Sequence, residues 1–203
     1  VSTKVGDFAG NANRLAHVIQ QARDEDVHLL VMPELTISGY SLEDRIWWPD
    51  IARRSWQTLL VLAETCKDIS VFVGLPVRLH SLMYNAVALV HDQQVRGLIF
   101  KKHLPTYSIF YEGRNWTPWG SGVTEYNGVP AGDLVFELPY GKVSAEVCED
   151  LWAANAPDRE RVRMGAEIIC NCSASPFTPR KNERRKRLVQ NAAASHSCVY
   201  AFA

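Results

Sequence analysis

The chain has 203 residues, enough for one substantial core or a tight pair of small domains. Hydrophobic residues make up 47% and charged residues 22%, the balance of an ordinary soluble globular protein. Lys+Arg and Asp+Glu both count 22, so the net charge is zero and the basic excess of a nucleic-acid binder is absent. The basic run from Arg180 to Arg187 reads as the solvated face of a helix. No apolar stretch approaches the roughly 20 residues that span a bilayer, so no membrane segment is expected. The five cysteines, Cys66, Cys148, Cys170, Cys172 and Cys198, form no CxxC pair. Neither a disulfide framework nor a zinc site is expected of them, and the chain reads as cytoplasmic.

In chain order the pattern alternates between helix and strand. Residues 10–22 predict a helix with Ala12, Leu15, Val18 and Ile19 on one face. The apolar run at 28–33 predicts a strand buried on both faces, and 49–67 predicts a second helix with Pro49 near its first turn. A buried strand follows at 71–76, then a strand pair, 84–90 and 95–101, around His91-Asp-Gln-Gln94. Residues 102–132, rich in Gly, Pro and aromatics, read as a long functional loop with one helical turn. A second strand pair is expected at 134–138 and 142–148. Then come a helix at 158–164, a strand at 167–172, a helix at 179–197 and a strand from Cys198. Buried strands alternating with helices predict an α/β layered domain with a mixed sheet. Both ends read as cut, as in a fragment of a longer chain.

Three side chains stand at the ends of predicted strands. Glu34 follows the strand at 28–33, where partial burial would make its carboxylate a better base. It equally suits a surface ion pair. Lys101 and Lys102 must point to opposite faces of a strand, so one points inward. An inward ammonium beside a reacting carbonyl would stabilise an oxyanion; a solvated pair closing a strand is the plainer alternative. Cys148 ends a strand before a turn, where α/β enzymes tend to carry nucleophiles, though it also suits a buried structural thiol. Together they supply a base, a cation and a nucleophile at strand ends that can converge. There is no G-x-S-x-G elbow, no Gly-rich phosphate loop, and none of the six histidines lies in a catalytic pattern.

Several segments occur in a recognisable order: Val5-Gly-Asp-Phe-Ala-Gly-Asn11, Pro33 to Asp44, Lys101 to Tyr107 with Phe110-Tyr-Glu112, Val147-Cys-Glu-Asp-Leu-Trp152, and Asn171 to Phe177 followed by Lys181. In these the chain resembles the nitrilase, or carbon–nitrogen hydrolase, superfamily, and within it the glutaminase domains of glutamine-dependent NAD synthetases. The resemblance implies a four-layer α-β-β-α sandwich over residues 1–203, truncated at both ends, with the synthetase domain absent. It implies Glu34 as general base, Lys101 and not Lys102 as catalytic lysine, and Cys148 as the nucleophile that forms a thioester with glutamine. It assigns the oxyanion to Lys101 and the backbone N–H of Glu149, and support of the lysine and the leaving group to Glu112. Tyr107, Glu149, Ser175 and Lys181 would hold L-glutamine. The glutaminase step would need no cofactor and no metal; ATP and magnesium would serve the absent synthetase domain, which would receive the ammonia. An oligomer is expected. A stand-alone amidase acting on another small amide or nitrile, and an inactive interaction module, are the alternatives.

Overall fold

The computed structural model describes residues 1–176 and 178–203. Phe177, part of one of the segments quoted above, lies outside the described residues. The elements are, in chain order, α1 (Phe8–Asp24), β1 (Leu29–Val31), α2 (Ile51–Ala63), β2 (Ser70–Leu79), β3 (Leu82–His91), β4 (Gln94–Phe100), β5 (Val123–Tyr126), β6 (Val129–Gly132), β7 (Phe136–Leu138), β8 (Gly141–Val147), α3 (Asp158–Arg163), β9 (Ile168–Cys172), α4 (Lys181–His196) and β10 (Val199–Phe202). Single 3-10 turns occur at Glu43–Trp47, Glu112–Arg114 and Cys148–Trp152.

Two mixed sheets form, ordered β1-β2-β3-β4-β6-β5 and β10-β9-β8-β7. They pack face to face with helices outside, which gives the four-layer sandwich. Alternation along β2 explains the layering. Val71, Val73, Leu75 and Val77 face the cluster that holds Leu15 and Ile19 of α1 and Leu59 and Leu62 of α2. Phe72 points the other way and packs with Val87, Leu89 and Ile99 against Val143, Ala145 and Val147 of β8. A strand buried on both faces has no polar side to display, which is why it reads as a continuous apolar run.

Local chemistry sets the element ends. Asp7 caps α1, its Oδ1 accepting from the Gly10 N–H at 2.9 Å. The expected helix at 49–67 stops at Ala63, because Thr65 turns back and both its N–H and its hydroxyl donate to the Leu62 carbonyl. The expected loop over 102–132 is overturned in its last third, where β5 and β6 form a hairpin. Asn127 (φ 49°) and Gly128 (φ 81°) make its turn. Asn-Gly is the strongest short hairpin signal, because both residues accept left-handed backbone at little cost. The expected strand at 71–76 runs to Leu79 and turns through His80 into β3, a hairpin with no Gly or Asn to announce it.

One glycine decides how close two elements come. A Cβ on Gly74 of β2 would sit 2.3 Å from the Leu35 nitrogen and 2.8 Å from the Pro33 carbonyl oxygen. Both are backbone atoms, so the segment carrying Glu34 would have to move. Gly74→Ala should destabilise the fold by about 1–3 kcal/mol and lower turnover as well. Urea denaturation and steady-state kinetics check this; an unchanged midpoint with unchanged turnover would contradict it.

Candidate active site

Glu34 leaves β1 after Met32 and Pro33, and Leu35 immediately turns the chain with φ 50°. The Glu34 side chain is fully buried. Its Oε1 accepts from Lys101 Nζ at 2.6 Å and from Asn85 Nδ2 at 2.6 Å, and its Oε2 accepts from the Ala174 N–H at 3.2 Å. Lys101 follows β4 directly, and its N–H donates to the Asn85 carbonyl, which fixes its direction. Its side chain is 0% exposed and reaches a second carboxylate, Glu112 Oε1, at 2.8 Å. Lys102 points the other way and pairs with Asp133 and Glu160. Of the two adjacent lysines, Lys101 is therefore the inward one.

A buried ammonium between two carboxylates is a strongly coupled group. Burial alone would push the Lys101 pKa down, but Glu34 and Glu112 outweigh it and hold Lys101 protonated. Burial pushes Glu112 up to about 7, with Lys101 opposing and Glu34 adding to the rise. Tyr40 donates its hydroxyl proton to Glu112 Oε1 at 2.5 Å, while Glu112 Oε2 is buried and has no partner among the described residues.

Cys148 opens a 3-10 turn at the end of β8 with φ 48°, a conformation that costs a non-glycine residue of order 1–3 kcal/mol. The turn aims its side chain into a cavity of about 290 Å³ lined by Tyr107, Phe110, Glu149, Trp152, Ser175 and Lys181, with Thr178, Pro179 and Arg184. Burial pushes the thiol up to about 12; Glu34 adds to that rise, and the Lys101 ammonium opposes it. At rest Cys148 is therefore a neutral thiol, and a nucleophilic role for it would need a base at the moment of attack.

The cavity is lined by side chains of both charges, Glu149 on one hand and Lys181 and Arg184 on the other. Tyr107 donates its hydroxyl to the Glu149 carboxylate, at 2.8 Å to Oε2. Lys181 and Arg184 stand on the first turn of α4. Burial lowers the Lys181 pKa, and its neighbour Arg185 lowers it further. Among the described residues no group of three or more His, Cys, Asp or Glu side chains is gathered as a metal site, and no helix is long and apolar enough to cross a membrane.

All eight residues singled out in the sequence lie in this region: Glu34, Lys101 and Glu112 in one ion-paired cluster, and Cys148, Tyr107, Glu149, Ser175 and Lys181 around one cavity. Several others were not singled out. Asn85 was legible in principle, since a lone amide inside the apolar strand at Tyr84-Asn85-Ala86 needs a partner. Tyr40, Phe110 and Arg184 carry no such signal.

Asp150 was also missed, although it stands two residues after the nucleophile. It is 1% exposed. Its Oδ1 accepts from the N–H groups of Lys102 (3.1 Å) and His103 (2.8 Å) and pairs with His103 Nδ1 at 3.0 Å. Its Oδ2 accepts from the Val147 N–H at 2.9 Å. One carboxylate thus ties the segment after Lys101 to the turn that carries the Cys148 thiol. The Asp150 hydrogen bond also raises the His103 pKa above its ordinary value. Asp150→Ala should cost about 2–4 kcal/mol, since it strips several buried donors of their acceptor at once. Thermal unfolding measures this, with Asp150→Asn expected to fall between the two.

Fold and site together define an amidohydrolase with a buried Glu–Lys pair beside a cysteine. The carbon–nitrogen hydrolase family model matches residues 1–203, and the chain belongs to that family. The curated relatives it resembles are glutamine-dependent NAD(+) synthetases. That of Mycobacterium tuberculosis (strain ATCC 25618 / H37Rv) is 33% identical over 211 residues, covering 99% of this chain and 31% of the relative. That of Aquifex aeolicus is 32% identical over 201 residues, covering 98% and 33%. The crystal structure of a glutamine-dependent NAD(+) synthetase from Cytophaga hutchinsonii superposes with a TM-score of 0.91 at 30% identity, covering 100% of this chain and 34% of that one. An amidase from Nesterenkonia sp. shares the fold, with a TM-score of 0.78 at 18% identity, covering 99% and 72%. The chain thus spans about a third of the length of the NAD synthetases it matches.

Proposed function

We propose that this chain is a glutaminase domain that releases ammonia from L-glutamine and passes it to a synthetase domain making NAD from its deamido precursor with ATP and magnesium. The observation that carries this reading is the Lys101 ammonium, held between Glu34 and Glu112 and felt by the Cys148 thiol at the mouth of a charge-divided cavity.

The chemistry follows from the geometry. Glu34 takes the thiol proton as Cys148 sulfur attacks the side-chain amide carbon. The carbonyl oxygen becomes an oxyanion. Lys101 has three N–H donors and spends two on Glu34 and Glu112, which leaves the third for the oxyanion. The backbone N–H of Glu149 is the second donor. Glu34 returns the proton to the leaving nitrogen and ammonia departs, leaving a thioester. A water molecule then gives a proton to Glu34 and attacks the thioester carbon; the C–S bond breaks, glutamate is freed, and Glu34 passes that proton to the departing Cys148 sulfur, which restores the thiol. Glu112, held near neutrality, steadies Lys101 through these changes of charge. The free amino acid presents its ammonium to Glu149 and Tyr107 and its carboxylate to Lys181, Arg184 and Ser175, so a charge-divided cavity fits it.

The test is ammonia and glutamate release from glutamine, set beside a panel of uncharged small amides, with intact-mass detection of a Cys148 adduct by an electrophilic glutamine analogue. Preference for glutamine with a single adduct supports the reading. Equal or faster hydrolysis of the uncharged amides would replace it with a stand-alone amidase. No adduct and no turnover would count against the glutamine site altogether.

A further inference from the structure

Glu146 lies two residues before Cys148 on β8, on the face of the sheet turned away from the other sheet, opposite Ala145 and Val147. It is 1% exposed, and among the described residues its hydrogen bonds go to none of those lining the cavity. Every oxygen of its carboxylate is nevertheless engaged. Oε1 accepts from the Tyr200 hydroxyl on β10 and from Asn171 Nδ2 on β9, the latter at 3.2 Å. Oε2 accepts from the Asp158 N–H at the start of α3, at 3.2 Å. Asn171 is 0% exposed, and the same Nδ2 also donates to the Cys148 carbonyl oxygen at 3.3 Å.

The amide of Asn171 therefore spends both protons, one on Glu146 and one on the backbone of the nucleophile. Its orientation is fixed by chemistry. The reversed amide would set an oxygen against both the Cys148 carbonyl and the Glu146 carboxyl. Asn171 Oδ1 has no partner among the described residues, so the amide is held by its donors alone. What it holds is the one residue of the site whose backbone is strained, Cys148 at φ 48°. A left-handed non-glycine persists only where its surroundings over-determine it.

We propose that Glu146 and Asn171 are positioning residues for the nucleophile: from the far face of the sheet they brace the Cys148 carbonyl and so keep the thiol aimed into the cavity. Burial lifts the Glu146 carboxyl up to about 8, with the nearby Asp150 adding to the rise. A neutral acceptor suffices for the brace, which makes glutamine a fair replacement and alanine a poor one.

The glutamine-turnover arm of the test rests on the glutaminase reading; the alkylation arm does not. Turnover of glutamine and the rate of Cys148 alkylation by iodoacetamide, located by peptide mass mapping, are measured for the wild type and four variants. Asn171→Ala, Asn171→Leu and Glu146→Ala should lower both kcat and the alkylation rate by about 10- to 100-fold with KM little changed, since the substrate contacts remain while the attacking atom is misplaced. Glu146→Gln should stay within about threefold of the wild type, because its oxygen still accepts from Asn171. Asn171→Leu, close in volume, keeps the test open if the alanine variant fails to fold. Folded Asn171 variants with wild-type alkylation would overturn the proposal, and so would equal losses in Glu146→Gln and Glu146→Ala. If the wild type itself leaves glutamine intact while the alkylation rates still separate as expected, the glutaminase reading fails and the positioning role stands.

Discussion

Lys101→Met should abolish amide hydrolysis and cost the fold about 3–5 kcal/mol, the range for leaving buried charges without their partner. The wild-type ammonium is 0% exposed and touches Glu34 at 2.6 Å and Glu112 at 2.8 Å. Methionine fills similar space but donates nothing. Two buried carboxylates are then left without the cation between them, and both must ionise against burial and against one another. Glu112, already pushed up to about 7 with the lysine present, rises further. A carboxyl whose folded pKa is raised binds more protons in the native state than in the unfolded one. Its favourable contribution is complete below the ordinary value of 4.5 and is lost as pH rises through the folded value. The variant should therefore be least stable above pH 7 and recover as the pH falls toward 5. Adding Glu112→Gln should restore part of the loss at neutral pH by removing one of the two buried charges. Denaturant titrations at pH 5 and 8 decide the matter. A variant equally stable at both, or a double variant no better than the single, would show that the ion cluster is not what it looks like. Catalysis should fall by about a thousandfold from the lost oxyanion donor alone.

Cys148→Ala should remove turnover on the order of a millionfold, as deletion of a nucleophile does elsewhere, while leaving the fold within about 1 kcal/mol of the wild type. The distinguishing measurement is a comparison with Cys148→Gly. At φ 48° alanine keeps the strain that cysteine carries, whereas glycine loses it. The glycine variant should be the more stable of the two by about 1 kcal/mol, the reverse of the order in ordinary helical turns. Both should be inactive. If alanine proves the more stable, the left-handed turn is not held under strain. Substantial glutamine hydrolysis by either would remove Cys148 from the mechanism.

These two predictions draw on different layers of information. The inward direction of one lysine of the Lys101–Lys102 pair followed from strand geometry. That it is Lys101 came first from the resemblance, and its burial agrees. The resemblance, not any local pattern, pointed to Glu112 as the support of the lysine, and the hydrogen bond between them agrees. Tyr40 and Glu112 are 72 residues apart, yet they share a hydrogen bond. The β5–β6 hairpin was different, because Asn127-Gly128 lay in plain view within what read as loop. The β2–β3 hairpin was not legible, since His80 takes a left-handed φ of 54° in a turn without a turn-forming pair.

The sequence by itself determined the alternation of buried strands and helices, the strand-end positions of Glu34, Lys101 and Cys148, and, through its ordered motifs, the carbon–nitrogen hydrolase family. It could do so because burial on two faces, capping and motif spacing are local properties that a chain carries whether or not it is folded. Only the tertiary structure decided that Glu34 and Lys101, 67 residues apart, share one hydrogen bond, that Asn85 joins them, and that Gly74 must lack a side chain for Glu34 to reach its place. It alone showed Asp150 and Asn171 hydrogen-bonded to the backbone of Val147 and Cys148. Strand pairing and the packing of two sheets bring such groups together, and the energy of a buried charge depends on every neighbour within a few ångströms, whatever its place in the chain.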